Sequence, residues 1–270
     1  MNSKLTISFI CLLALLFSGC PRKEKAGFLT LNMAFQFDGA AVKFGEVVYT
    51  NAAGEQIKID EAKCFISEMA LVREDGRLRP ILANEGIHYF DNTLPATLLW
   101  QIIDPIEACG YKALRFRFGL ADNQNISGRF PNPPETNFAW SAVLGGGYHY
   151  MQINGKWWDG GVEKPLTLHT GSGQFRDNAD NILAFIDNSF WVEVPLAHFS
   201  IQPNQTQSLT LIMDIARWFD TPNLYSIAHY GSAIMQNQEA QRILRENGAN
   251  VFSIAVTDKA HSPQKGQTKL

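Results

Sequence analysis

The chain has 270 residues, and its 23 Lys and Arg stand against 26 Asp and Glu, a formal charge of −3. That balance gives nucleic acid no electrostatic footprint, so it is set aside as a partner. With 46% hydrophobic residues the chain can bury one large core, and its length suits a single undivided β domain.

The first nineteen residues read as an export signal. Lys4 supplies the charged start, and Leu5 to Phe17 is almost wholly apolar yet shorter than the ~20 residues a membrane span needs. Phe17-Ser18-Gly19-Cys20 is similar to a bacterial lipobox, which implies cleavage before Cys20 and its acylation. The expected organisation is a signal peptide at 1–19, a lipidated tether at 20–27, one β domain at 28–257 and a polar tail at 258–270. Such a protein is anchored to a membrane of the bacterial cell envelope by lipid, and faces the periplasm or the cell surface.

The mature chain opens on alternation: Leu29, Leu31, Met33, Phe35 and Phe37 are separated by Thr30, Asn32, Ala34 and Gln36, the mark of a half-buried strand. Short strands are expected at "EVVYTN", "EQIKID" and "KCFISEMALV". "PATLLWQII" reads as a short helix. Period two returns in Leu114, Phe116, Phe118 and Leu120, in Phe190, Val192, Val194 and Leu196, and in Leu209, Leu211, Met213 and Ile215. "NQEAQRILRENG" is the clearest helix, with Asn237 as its cap and Gly248 at its end. "VFSIAV" closes the series. Many strands with few helices predict an all-β fold, a β-sandwich with one or two short decorating helices and long loops, among them Ala121 to Asn137 and Gly171 to Asn181.

Cys11 lies in the signal, leaving Cys64 and Cys109 beyond the acylated Cys20. In an oxidising compartment the two either form a disulfide or remain separate buried thiols. Neither belongs to a Cys-x-x-Cys pair, so redox catalysis and a Cys-rich zinc site lack support.

The densest chemistry lies in "YHYMQINGKWWDGGVEKPLTLHTGSG". Read as two strands joined by "NGKWWDGGVEK", it puts His149, Met151 and Ile153 on one face and lets His149 approach His169. Two imidazoles with a thioether suit Cu(I), whereas zinc wants four ligands. The bland reading is that these histidines are ordinary sheet residues and that Trp157 and Trp158 cap the sheet.

The order of segments resembles the MbnP-like copper-binding domain family of exported bacterial proteins, named for a methanobactin-associated member. The likeness runs through "KCFISEMAL", "IHYFD", "LRFRFGLADNQN", "NFAWSAVLGGGYHYMQINGKW", "LTLHTGSG" and "LTLIMDIARWFD". It implies a β-sandwich that binds copper through histidines beside an oxidised tryptophan, and a neighbouring di-haem, peroxidase-like partner. His169 matches the family's His-x-Gly turn, Trp140 the tryptophan before its Gly-Tyr pair, and His88 a structural position. The first mature strand carries no histidine or tryptophan, and the family's Trp-x-His triplet is absent.

Together these observations predict an exported lipoprotein that binds or handles copper, as Cu(I), without catalysis and without an organic cofactor. His169 and His149 are the expected ligands, Met151 an assisting one, and Trp140 a stacking or modified neighbour. The competing expectation is a metal-free lipoprotein that binds glycans or proteins through exposed aromatic loops. No Gly-x-Ser-x-Gly elbow or phosphate loop recommends an enzyme.

Overall fold

The computed structural model describes residues 25–257. The expected signal peptide, Cys20 with its expected acylation, most of the expected tether and the polar tail lie outside that range. No helix among the described residues is long and apolar enough to cross a membrane.

The described strands are β1 (Ala26–Phe37), β2 (Ala40–Ala41), β3 (Val48–Thr50), β4 (Gln56–Arg73), β5 (Leu78–Pro80), β6 (His88–Asp91), β7 (Leu99–Glu107), β8 (Gly110–Phe118), β9 (Met151–Asp159), β10 (Val162–Thr170), β11 (Gly173–Arg176), β12 (Ile182–Ile186), β13 (Phe190–Ser200), β14 (Thr206–Asp214) and β15 (Phe252–Thr257). Two short helices, α1 (Ile227–Tyr230) and α2 (Gln238–Asn247), decorate them. The predicted all-β class holds.

In the first sheet β1 lies between β14 and β7, with β15 outside β14 and β2 at the far end of β1. β1 runs parallel to β14, from Phe28 opposite Thr206 to Gln36 opposite Asp214. A parallel pair needs a long connection, and the chain between them builds the second sheet. β4 is the spine of that sheet. Cys64 pairs with Met151 and with Phe90, and Ile66 with Phe118 and with His88. β9 and β8 therefore occupy successive lengths of one edge of β4, while β3, β6 and β5 line the other.

The alternating residues of β1 are buried as expected, and they meet Leu211 and Met213 of the same sheet and Ile57, Leu114, Phe116, Met151 and Leu168 of the other. A second, smaller cluster forms on the outer face of β4 from Phe65, Ile87, Tyr89, Leu120, Phe138, Tyr148 and Tyr150.

Several local expectations change. "EQIKID" and "KCFISEMALV" are one strand of 18 residues, bent where its pairing shifts register between Ser67 and Ala70. Only Pro95–Leu98 of "PATLLWQII" is helical, as a single 3-10 turn, before β7 begins. β9 and β10 run on to a two-residue turn, Gly160 (φ 57°) and Gly161 (φ 86°), a doubly left-handed hairpin that glycine permits. Asn154-Gly155 and both tryptophans are therefore strand residues. Trp157 joins the inter-sheet core, with the Lys164 ammonium 5.4 Å from its ring centre.

Asn237 caps α2, its Oδ1 accepting from the Ala240 amide. Gly248 ends that helix but stays right-handed (φ −54°). Its need for glycine is steric, because a Cβ there would lie 2.0 Å from Phe190 Cζ.

Cys64 and Cys109 are not bridged; both are free thiols. Cys64 sits on the inner face of β4, whereas Cys109 precedes Tyr111, which pairs with Arg73, nine residues along that strand. At ~3.3 Å per residue the separation is about 30 Å, and a disulfide needs Cα atoms within ~7 Å. Burial drives the Cys64 thiol far above its ordinary pKa.

Candidate metal centre

A glycine run positions the site. Gly145, Gly146 and Gly147 have φ of 101°, 74° and 85°, a backbone that residues with a Cβ rarely adopt. The run folds the chain back so that the Trp140 amide donates to Gly147 O and the His149 amide to Phe138 O, each at 2.9 Å. Trp140 and His149 are thereby brought side by side, with ring centres 4.7 Å apart and planes at 82°.

His169 completes the group from β10, where it pairs with Gln152 of β9. Its ring centre lies 5.0 Å from that of His149, with the planes perpendicular. The sequence-predicted pair is therefore brought together, and Trp140 with it. Two residues on, Gly171 lies against the benzo ring of Trp140: a Cβ there would be 2.7 Å from Cε3. This is a physical reason for the His-x-Gly turn. Gly171 is held in place from α2, whose buried Gln241 accepts from its amide at 3.2 Å, and by Asn188, which donates to its carbonyl at 3.0 Å.

Met151 does not join them. It pairs with Thr170, while His169 pairs with Gln152, so the pleat sends Met151 to the opposite face from His169. There it is fully buried in the inter-sheet core. The expectation that His149 and Met151 share a face assumed regular alternation, but β9 begins only at Met151.

His149 is 6% exposed and Trp140 3%. The Nδ1 of His149 and the Nε1 of Trp140 are both buried without a hydrogen-bond partner among the described residues. Buried polar atoms are normally satisfied, so two orphans in adjacent rings mark a place built for something else. Desolvation lowers the pKa of His149 to about 3, and the neighbouring His169 pushes the same way. His169 is lowered to about 4, by desolvation first and then by Lys63, with Glu61 opposing. Both imidazoles are neutral at neutral pH and keep a lone pair to donate. A cavity of about 500 Å³ opens beside His169, lined also by Ser141, Leu144, Thr167 and Met235.

His169 Nε2 lies 2.7 Å from Asn154 Oδ1, and Asn154 Nδ2 donates to Glu61 Oε2 at 3.1 Å. Glu61 in turn pairs with Lys63 at 3.1 Å. Glu61 stands directly opposite Asn154 across β4 and β9, and His169 is diagonal to it across β9 and β10. Sequence reasoning missed this chain because "NG" reads as a turn; outward period two from Gln152 to Asn154 was the available signal. His88 lies elsewhere, with Nε2 2.8 Å from the Thr97 carbonyl and its ring stacked on Trp100 at 4.9 Å. That is the structural role expected of it.

As a donor set the group fits a soft, low-coordinate cation better than zinc. It offers two neutral nitrogens, and no cluster of three or more His, Cys, Asp or Glu able to hold a metal occurs among the described residues.

A search of curated proteins finds no match. Among solved structures the chain is similar to MbnP from Methylosinus trichosporium, with a TM-score of 0.54 and 15% identity over 86% of this chain and 99% of that one. At that identity the likeness speaks for the fold alone. The model of the MbnP family matches residues 26–236, most of the fold and every residue of the histidine–tryptophan group. The chain belongs to the MbnP family.

Proposed function

We propose that this protein binds copper, as Cu(I), through His149 and His169, and that it serves as a copper-binding or copper-handling lipoprotein of the bacterial envelope without catalysing a reaction. The observation that carries the reading is the pair of buried orphan atoms, His149 Nδ1 and Trp140 Nε1, beside a second neutral imidazole whose ring centre is 5.0 Å away. Family membership supports it. In this reading the two histidines hold the ion, Trp140 walls the site or is itself oxidised, and the loop from Ser141 to Gly147 limits access by water. Bound copper supplies a soft Lewis-acid, redox-capable centre. The partners that go with the reading are a membrane, reached through acylated Cys20, and a di-haem peroxidase-like protein.

The metal-free alternative, a glycan- or protein-binding scaffold, draws less support. Trp157 is buried, so the tryptophan pair does not form a flat open platform.

The test is titration with Cu(I) under reducing conditions, in competition with a chelator, of the wild type beside His149→Ala and His169→Ala. One equivalent should bind, and either variant should lose at least ~100-fold in affinity, the scale of a lost primary ligand. Equal, weak uptake by all three overturns the proposal.

A further inference from the structure

We infer that Glu61 and Asn154 lock the tautomer of His169, so that Nδ1, and not Nε2, is the atom His169 offers to a ligand. The inference rests on the copper reading only for what is bound, since the tautomer belongs to the ion-free protein.

Glu61, Asn154 and His169 stand on three adjacent strands, β4, β9 and β10. A carboxylate only accepts hydrogen bonds, so Glu61 Oε2 selects the Nδ2 end of the Asn154 amide, at 3.1 Å. With that end committed, Oδ1 must face His169. An amide oxygen also only accepts, so the hydrogen in the 2.7 Å contact belongs to Nε2 of the imidazole. A neutral imidazole carries one N–H, which leaves Nδ1 bare. The other tautomer would set two lone pairs against each other at a half-buried contact, and a bias of at least ~10-fold is expected. Orientation by an outer hydrogen-bond partner is a common way to prepare a ligating histidine. Here the partner is an amide turned by a carboxylate, and Lys63 at 3.1 Å from Glu61 holds that carboxylate in turn. Asn154 and Glu61 are positioning residues: they touch the ring or its partner and not the bound ion.

The experiment is a long-range ¹H–¹⁵N spectrum of the histidine side chains in the metal-free protein at pH 7.5, followed by Cu(I) titration of the same samples. His169 should show a protonated Nε2 and a bare Nδ1. Asn154→Leu removes the acceptor and Glu61→Gln removes the demand on the amide. Both should move the two nitrogens towards averaged positions and weaken Cu(I) binding ~10–100-fold. Glu61 is partly exposed, so Glu61→Gln decides the matter if Asn154→Leu does not fold. A wild-type His169 with Nδ1–H, or nitrogen positions unchanged by both substitutions, overturns the inference. If the spectra behave as expected and no sample takes up Cu(I), the lock stands and the copper reading falls.

Discussion

Cys64 and Phe65 are neighbours in β4, yet they end in clusters built by different rules. Cys64 faces inward and joins the inter-sheet core, which is built mainly from strand residues in period two. Phe65 faces outward and meets Phe130, Phe138 and Tyr148, side chains carried there by loops and short turns, with ring centres 5.3 to 6.0 Å away. His149 touches this outer cluster through Phe138 at 5.2 Å. The inner cluster holds the sheets together. The outer one is irregular backbone braced from several sides, and beside it lie the two adjacent orphaned ring nitrogens, Trp140 Nε1 and His149 Nδ1.

Substitutions separate the two clusters. Leu31→Ala, at the centre of β1 and fully buried, should cost ~2–5 kcal/mol of stability in urea unfolding. If the sheets are the shared foundation, the protein that remains folded should still bind Cu(I) at the wild-type affinity.

Acid should act on both regions, through His149 and His169 near the outer cluster and through His88 against Trp100 of the inner core. His149, His169 and His88 all have folded pKa values, about 3 to about 4, below the ordinary histidine value near 6.5. Between those limits the unfolded chain binds more protons, so stability falls as pH drops from about 6.5 and levels off only below about 3. Each such histidine contributes up to ~1.4 kcal/mol per pH unit across that window, and a loss of at least ~2 kcal/mol is expected between pH 7 and pH 4.5. Urea unfolding at both pH values checks it, and His149→Leu should flatten the slope. The same shifts carry proton competition with copper down towards pH 4, lower than an exposed histidine would place it.

Gly171→Ala should cost ~1–3 kcal/mol, because the added methyl must displace the Trp140 ring or the turn. Its signature is a change in tryptophan fluorescence and weaker copper binding together. Smallest of all, Met151→Leu in the inner core should cost less than ~1.5 kcal/mol and leave copper affinity unchanged. A large loss of affinity there would return Met151 to the site.

The difference between the clusters also explains what could be read in advance. Leu29 to Phe37, Leu114 to Phe118 and Leu209 to Met213 announced their strands, because alternation is local and burial follows from it. His149 and His169 were legible as a pair, since two connected strands were evident, although "NGKWWDGGVEK" was read as their connection and the turn is only Gly160-Gly161. The facing of Met151 was not, because the strand starts two residues later than the pattern suggests. Nor could Asn154 and Glu61 be found without the register of β4, β9 and β10, which depends on pairings distant in the chain. Gly171 and Gly248 looked like turn residues and proved to be sites of close packing, a distinction that only the neighbouring side chain reveals.

The most direct test of the central claim is X-ray absorption at the copper edge of the Cu(I)-loaded protein. Ligation by His149 and His169 predicts a low-coordinate ion with two imidazole nitrogens and no sulfur in its shell. A sulfur scatterer, or a single imidazole, would contradict it.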